Sequence, residues 1–278
     1  MRRSIFYVLL FCSSFCFSKL SHQYNLEILA ASKSNQEKIN AYLNIVKGLV
    51  KNKPDTAIVY IQKLDEFLLI EKLKLSLINR SNFNFYKGVY QYKKGDYLRA
   101  IKAIEKSLSI KTNDTIKGKK FFYLGLSHKL LGNYAQATEN FINSARIYEL
   151  KRDNSAVIKI YINLGNVFGK IDKHEKALGY FSKALELAKS TNNESLNRVI
   201  YNNMGNTFQA LEDYELALSN FNASYEDALE SKYLKGQFLT LINIANAKKK
   251  LNLNKEALEH LTEALRLSDT LTDPNLKG

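Results

Sequence analysis

An all-α solenoid of antiparallel helix pairs is the fold class that this 278-residue sequence predicts, and three observations predict it. A unit of 37 to 40 residues recurs: Gly88, Gly125, Gly165 and Gly205 form one column, with Ala245 in the fifth place. Three more columns keep register with it. Ala100, Ala137, Ala177, Ala217 and Ala257 come first, then the large Ile104, Phe141, Phe181, Phe221 and Leu261, then the small Ser107, Ser144, Ala184, Ser224 and Ala264. Only two prolines occur, as a nearly all-helical chain requires, because proline removes an amide donor and clashes with the preceding turn. Self-similarity at such a period marks a stacked array, in which one pair alone cannot bury its apolar face.

Taken in order, the chain opens with Met1-Arg2-Arg3, an apolar run from Ile5 to Phe17, and Ser18-Lys19. A basic start, a short apolar core and small residues near its end read as a signal peptide over 1–18. The run is shorter than the ~20 apolar residues that span a membrane. An uncleaved signal anchor is the alternative. A lipoprotein signal is disfavoured, since Phe11 and Phe15 precede Cys12 and Cys16 where lipidation needs a small residue. Both cysteines lie in the leader, so the mature chain has no thiol for a disulfide or a metal. Residues 19–35 read as a linker. Ala57, Ile61 and Leu64 repeat the second-helix pattern behind Pro54, a first-turn proline, which predicts a degenerate first repeat over 36–73 with its first helix over 36–51. Five repeats follow over 74–271, with interhelix turns at Lys94-Gly95-Asp96, Leu131-Gly132-Asn133 and Asp172-Lys173. Asp273-Pro274 is another helix-start signal, so 272–278 reads as the start of a further helix in a truncated array, or as a tail.

Net charge is +14 and the pI about 9.5, values that suit phosphate binding. The lysines nevertheless spread through every repeat, and the two dense clusters, Lys117 to Lys120 and Lys248 to Lys250, lack interleaved aromatics for base stacking. No nucleic-acid partner is expected. The charge favours acidic partners or anionic envelope surfaces through long-range attraction. His22, His128, His174 and His260 sit in separate segments without metal-ligand spacing, His174 in an interhelix turn. Metalloprotease, nucleophile-elbow and phosphate-loop motifs are missing. The expectation is therefore a non-enzyme, with no catalytic residue, no metal and no cofactor.

Tyr161-Ile-Asn-Leu-Gly165 with Ala177, Phe181 and Ala184, and Tyr201-Asn-Asn-Met-Gly205 with Ala217, Phe221 and Ser224, resemble tetratricopeptide repeats. The resemblance implies a right-handed superhelix whose concave groove, lined by the first helix of each pair, takes a protein or peptide. The usual repeat has about 34 residues, so longer helices or connections must absorb the excess. Asn163, Asn203 and Asn243 stand two residues before the Gly/Ala column, and Asn166, Asn206 and Asn246 one after it. Residues three apart share a helical face. By resemblance these positions line the groove, where an amide can both donate to and accept from a ligand backbone. Lys170 and Lys249, farther along the same helices, would meet an acidic ligand group. The candidate ligand-binding groove is thus Asn163, Asn166, Lys170, Asn203, Asn206, Asn243, Asn246 and Lys249. Ile162 replaces the lysine of the family's carboxylate clamp, so that clamp is not expected, and Tyr86, Val89, Tyr123 and Leu126 make the N-terminal half more apolar. Two functions follow as expectations. One is a non-catalytic binding scaffold in the periplasm or cell envelope, touching a membrane only through its leader or a missing C-terminal segment. The other, because exported arrays of this unit length resemble them, is the sensory portion of a membrane-bound histidine kinase or transcriptional regulator.

Overall fold

The computed structural model describes residues 24–193 and 196–272. The leader and Asp273-Pro274 lie outside the described residues. Within them no strand occurs, and no helix is long and apolar enough to cross a membrane. The chain divides into two compact units between Asn133 and Tyr134.

Among the described residues, the first unit contains helical residues 24–31 and five helices: α1 (Asn35–Leu49), α2 (Pro54–Ile70), α3 (Leu77–Lys93), α4 (Tyr97–Leu108) and α5 (Lys117–Leu130). Their starts are set locally. Ser34 and Glu37 close a capping box on α1, Pro54 occupies the first turn of α2, and Ser76 and Asp96 accept from the amides of Asn79 and Arg99. One core joins the helices through Ile45, Val46, Leu64, Phe83, Phe85 and Ile104, and Leu26 and Leu29 of the stretch read as a linker pack against it. Gly88 lets α3 close onto α4, since a Cβ there would lie 2.5 Å from Ile104 Cγ1. Beside that contact the small column bonds across the pair: Ser107 Oγ donates to the Ser81 carbonyl at 2.6 Å. Lys120, from the dense Lys117 to Lys120 cluster, is fully buried, its Nζ donating to Ser81 Oγ and to Asp114 Oδ2, each at 2.6 Å. The burial is tolerated because the ammonium is both paired and hydrogen-bonded.

Among the described residues, the second unit contains seven helices: α6 (Tyr134–Leu150), α7 (Asn154–Lys170), α8 (His174–Ser190), α9 (Asn197–Ala210), α10 (Tyr214–Glu230), α11 (Leu234–Lys250) and α12 (Asn254–Thr272). The helices absorb the excess over the usual period, since α7, α8, α10 and α11 each run 17 residues between short turns. His174 is the first residue of α8 and not part of the turn, as the sequence had suggested. Most turns reverse the chain through one left-handed residue: Arg152, Asp172, Asn192, Glu212, Lys232 and Asn252 have φ between 49 and 63°. The following amide then reaches back to the helix, as Asp213 N does to Phe208 O at 3.0 Å, satisfying a carbonyl the helix end would orphan.

Packing in this unit follows the columns. Consecutive helices are neighbours, and the first helices α7 and α9 also touch each other. The Phe181 ring lies where a Cβ on Gly165 would fall, and Phe221 lies so against Gly205. Both rings are buried, as are Ala177, Ala184 and Ala217. Burying one such ring contributes about 1.5–3 kcal/mol, and only a glycine opposite leaves room for it. Ser224 Oγ adds a bond to the Arg198 carbonyl at 3.0 Å, as Ser107 does in the first unit.

Candidate ligand surface on the first helices

The predicted groove residues fall on α7, α9 and α11, the first helices of their pairs in the second unit. Asp153 caps α7 by accepting from the amide of Ala156 at 3.0 Å, which fixes the phase of the residues that follow. Asn163 and Asn166 then stand three apart on α7, with Lys170 exposed at its last turn. Asn203 and Asn206 repeat the pair on α9, and Asn243 and Asn246 repeat it on α11, with Lys249 exposed beyond them.

The two asparagine rows differ in what their amides do. Asn163 Nδ2 donates to its own helix, at the Lys159 carbonyl, 2.8 Å away. Asn243 Nδ2 donates to Asn202 Oδ1 at 2.8 Å, a bond that fastens α11 to α9. Asn203 is half-buried, with no side-chain hydrogen bond among the described residues. In the second row Asn206 and Asn246 are exposed and Asn166 is half-buried, and their three amides make no hydrogen bond among the described residues. The structure therefore brings Asn166, Asn206 and Asn246 to equivalent places on three neighbouring helices with donors and acceptors unspent, while part of the first row holds the scaffold. Sequence reasoning missed Asn202, although the doublet Asn202-Asn203 was visible.

Register also shifts the cation. Forty-residue equivalents of Lys170 are Ala210 on α9 and Lys250 on α11, so Lys250 is the true counterpart and Lys249 sits one residue short of it. Lys248 is engaged, with Nζ 2.7 Å from Glu256 Oε2. Arg198 packs over the Tyr233 ring at 4.4 Å and lies 4.0 Å from Asp227.

A separate concavity of about 360 Å³ opens near the start of α7 and the end of α8, edged by Glu149, Arg152, Tyr161 and Lys183. Tyr161 donates to Glu149 Oε1 at 2.8 Å, and its hydroxyl pKa is pushed up to about 12 by burial first and by Glu149 second. The tyrosine remains neutral and serves as a donor. His128, in the first unit, has its Nδ1 buried with no hydrogen-bond partner among the described residues, and desolvation lowers its pKa despite Glu105. Among the described residues no group of three or more His, Cys, Asp or Glu is placed to hold a metal ion.

The sequence model of the tetratricopeptide repeat family matches residues 121–190 and 197–270, more than half of the chain. The chain belongs to the tetratricopeptide repeat family. It is 25% identical over 184 residues to response regulator aspartate phosphatase E of Bacillus subtilis (strain 168), a match covering 62% of this chain and 42% of that protein. The chain thus spans less than half the length of the curated relatives it matches. Among solved structures, the apo form of RapI superposes with a TM-score of 0.76 at 16% identity, covering 92% of this chain and 76% of RapI. A Rap protein complexed with competence and sporulation factor superposes at 0.65 with 15% identity, covering 92% and 73% of the two chains. These likenesses show the fold.

Proposed function

We propose that this chain is a non-catalytic protein- or peptide-binding scaffold, exported to the periplasm or cell envelope, that holds its ligand on the surface formed by α7, α9 and α11. The observation that carries the reading is the row of unspent amides at Asn166, Asn206 and Asn246. A row of neutral amides, each offering both a donor and an acceptor, is suited to holding a main chain. The similar fold of a Rap protein complexed with competence and sporulation factor supports ligand binding on such an array. Phosphatase activity, named for the Bacillus subtilis relative, is not carried over from a match to 42% of its length.

The test is binding of the full chain to an array of short synthetic peptides, comparing the chain with an Asn166→Ala, Asn206→Ala double variant. Each amide contributes about 1 kcal/mol, so the double variant binds its best peptide roughly 30-fold more weakly with an unchanged helical spectrum. Equal binding by the variant refutes the groove. Export rests on the basic and apolar pattern of residues 1–18. N-terminal sequencing of the protein from its own cells is expected to begin after the leader, and an intact Met1 in the cytoplasmic fraction refutes export.

A further inference from the structure

Charge in the second unit is sorted by helix. α7, α9 and α11 carry seven basic residues and no acidic one, whereas α6, α8, α10 and α12 carry twelve acidic against six basic. The basic residues are spread over both sets of helices, as the sequence suggested, and it is the acidic ones that are segregated. Of the seven, Lys159, Lys170, Lys235, Lys249 and Lys250 are exposed and form no ion pair among the described residues. These three helices supply no acidic counter-charge of their own to the lysines, and the nearest acidic group along the chain, Asp172, is exposed two residues beyond Lys170.

The cations are also in phase with the amides. Lys159, Asn163, Asn166 and Lys170 fall at i, i+4, i+7 and i+11, a single stripe along α7. The matching positions are Val199, Asn203, Asn206 and Ala210 on α9, and Leu239, Asn243, Asn246 and Lys250 on α11. Two lysines therefore flank a small, exposed alanine, beside the row of free amides. Packed helices lie about 8–10 Å apart, so Lys170 and Lys250, with α9 between them, emerge roughly 20 Å apart. An extended chain covers that span in about six residues, at about 3.3 Å each. An even separation also turns both side chains to the same side of the strand.

We propose that this surface selects an extended acidic peptide, its backbone along Asn166, Asn206 and Asn246 and two carboxylates about six residues apart on Lys170 and Lys250. The proposal rests on the scaffold reading above and adds the chemistry of the partner. Fluorescence anisotropy of the full chain tests it with labelled peptides carrying glutamates at i and i+6, matched peptides with glutamates at i and i+5, and others with glutamines at i and i+6. The i+6 glutamate peptide binds tightest and weakens as salt rises. In a Lys170→Gln, Lys250→Gln variant its affinity falls roughly tenfold to that of the glutamine peptide, which itself is unaffected. A Lys183→Gln, Lys189→Gln control on α8 leaves all three unchanged. If glutamate and glutamine peptides bind the unaltered chain equally, the acidic preference is refuted and the scaffold reading stands. If no peptide binds, both fall. If single-stranded oligothymidylate binds more tightly than any peptide and is lost in the Lys170, Lys250 variant, the surface is one for nucleic acid and the proposal is overturned.

Discussion

The repeats are held together by pairs of residues in which one side gives up volume for the other. Gly205 has no Cβ because the Phe221 ring occupies the place, 2.5 Å from where that atom would stand. The last pair changes both partners: Ala245 replaces the glycine and Leu261 the phenylalanine. Gly205→Ala alone is therefore expected to cost about 1–3 kcal/mol by overpacking. Adding Phe221→Leu should return part of it, a favourable coupling that urea denaturation of the two single and one double variants would reveal. Additive losses would show that the ring and the glycine are independent. The turns hold a second residue-scale reserve. Glu212 has a φ of 61°, a region that costs a side-chain-bearing residue about 1–2 kcal/mol. Glycine loses about 0.5–1 kcal/mol of chain entropy, so Glu212→Gly should stabilise the protein by about 0.5–1 kcal/mol, read as a higher denaturation midpoint. The Gly-Phe columns stood plainly in the sequence. The left-handed residues did not, because most carry no glycine to announce them and only the closing hydrogen bonds define them.

At the scale of elements, a helix start was legible where a local cap set it, and less so where tertiary contacts did. The first helix, expected over 36–51, runs Asn35–Leu49, whereas His174 was drawn from a turn into α8. The connection between α4 and α5 was opaque. Its Asp114 accepts from the amide of Ile116 at 3.0 Å and from the buried ammonium of Lys120 at 2.6 Å. Asp114→Ala strands that charge and should cost about 3–5 kcal/mol, while a Lys120→Met, Asp114→Ala pair should cost much less. Chemical denaturation that finds the single variant milder than the pair would refute this account. Lys117 and Lys119 are exposed while Lys120 beside them is buried; burial is decided by what packs on a helix face, and one sequence window cannot show that.

Across the whole molecule, acid is expected to weaken the fold. Desolvation is the largest cause lowering the pKa of both His128 and His260, with Lys248 adding to it at His260. The unfolded chain then binds protons more readily than the folded one, so stability is intact above the ordinary histidine pKa of about 6.5 and falls as pH drops below it. Thermal melting followed from neutral to mildly acidic pH should show this fall, and His128→Asn with His260→Asn should flatten it; an unchanged slope would remove the histidines from the explanation. The sequence by itself determined the helix pairs, their period and their family, because a repeated column of small and large residues has one way to bury itself: stacking. Tertiary structure decided which polar groups remain unbonded. Stacking brings Asn202 to Asn243 and Glu256 to Lys248, leaving Asn166, Asn206, Asn246, Lys170 and Lys250 without partners among the described residues. Residue type sets what a side chain can bond, and only the neighbouring helix decides whether that capacity is already used.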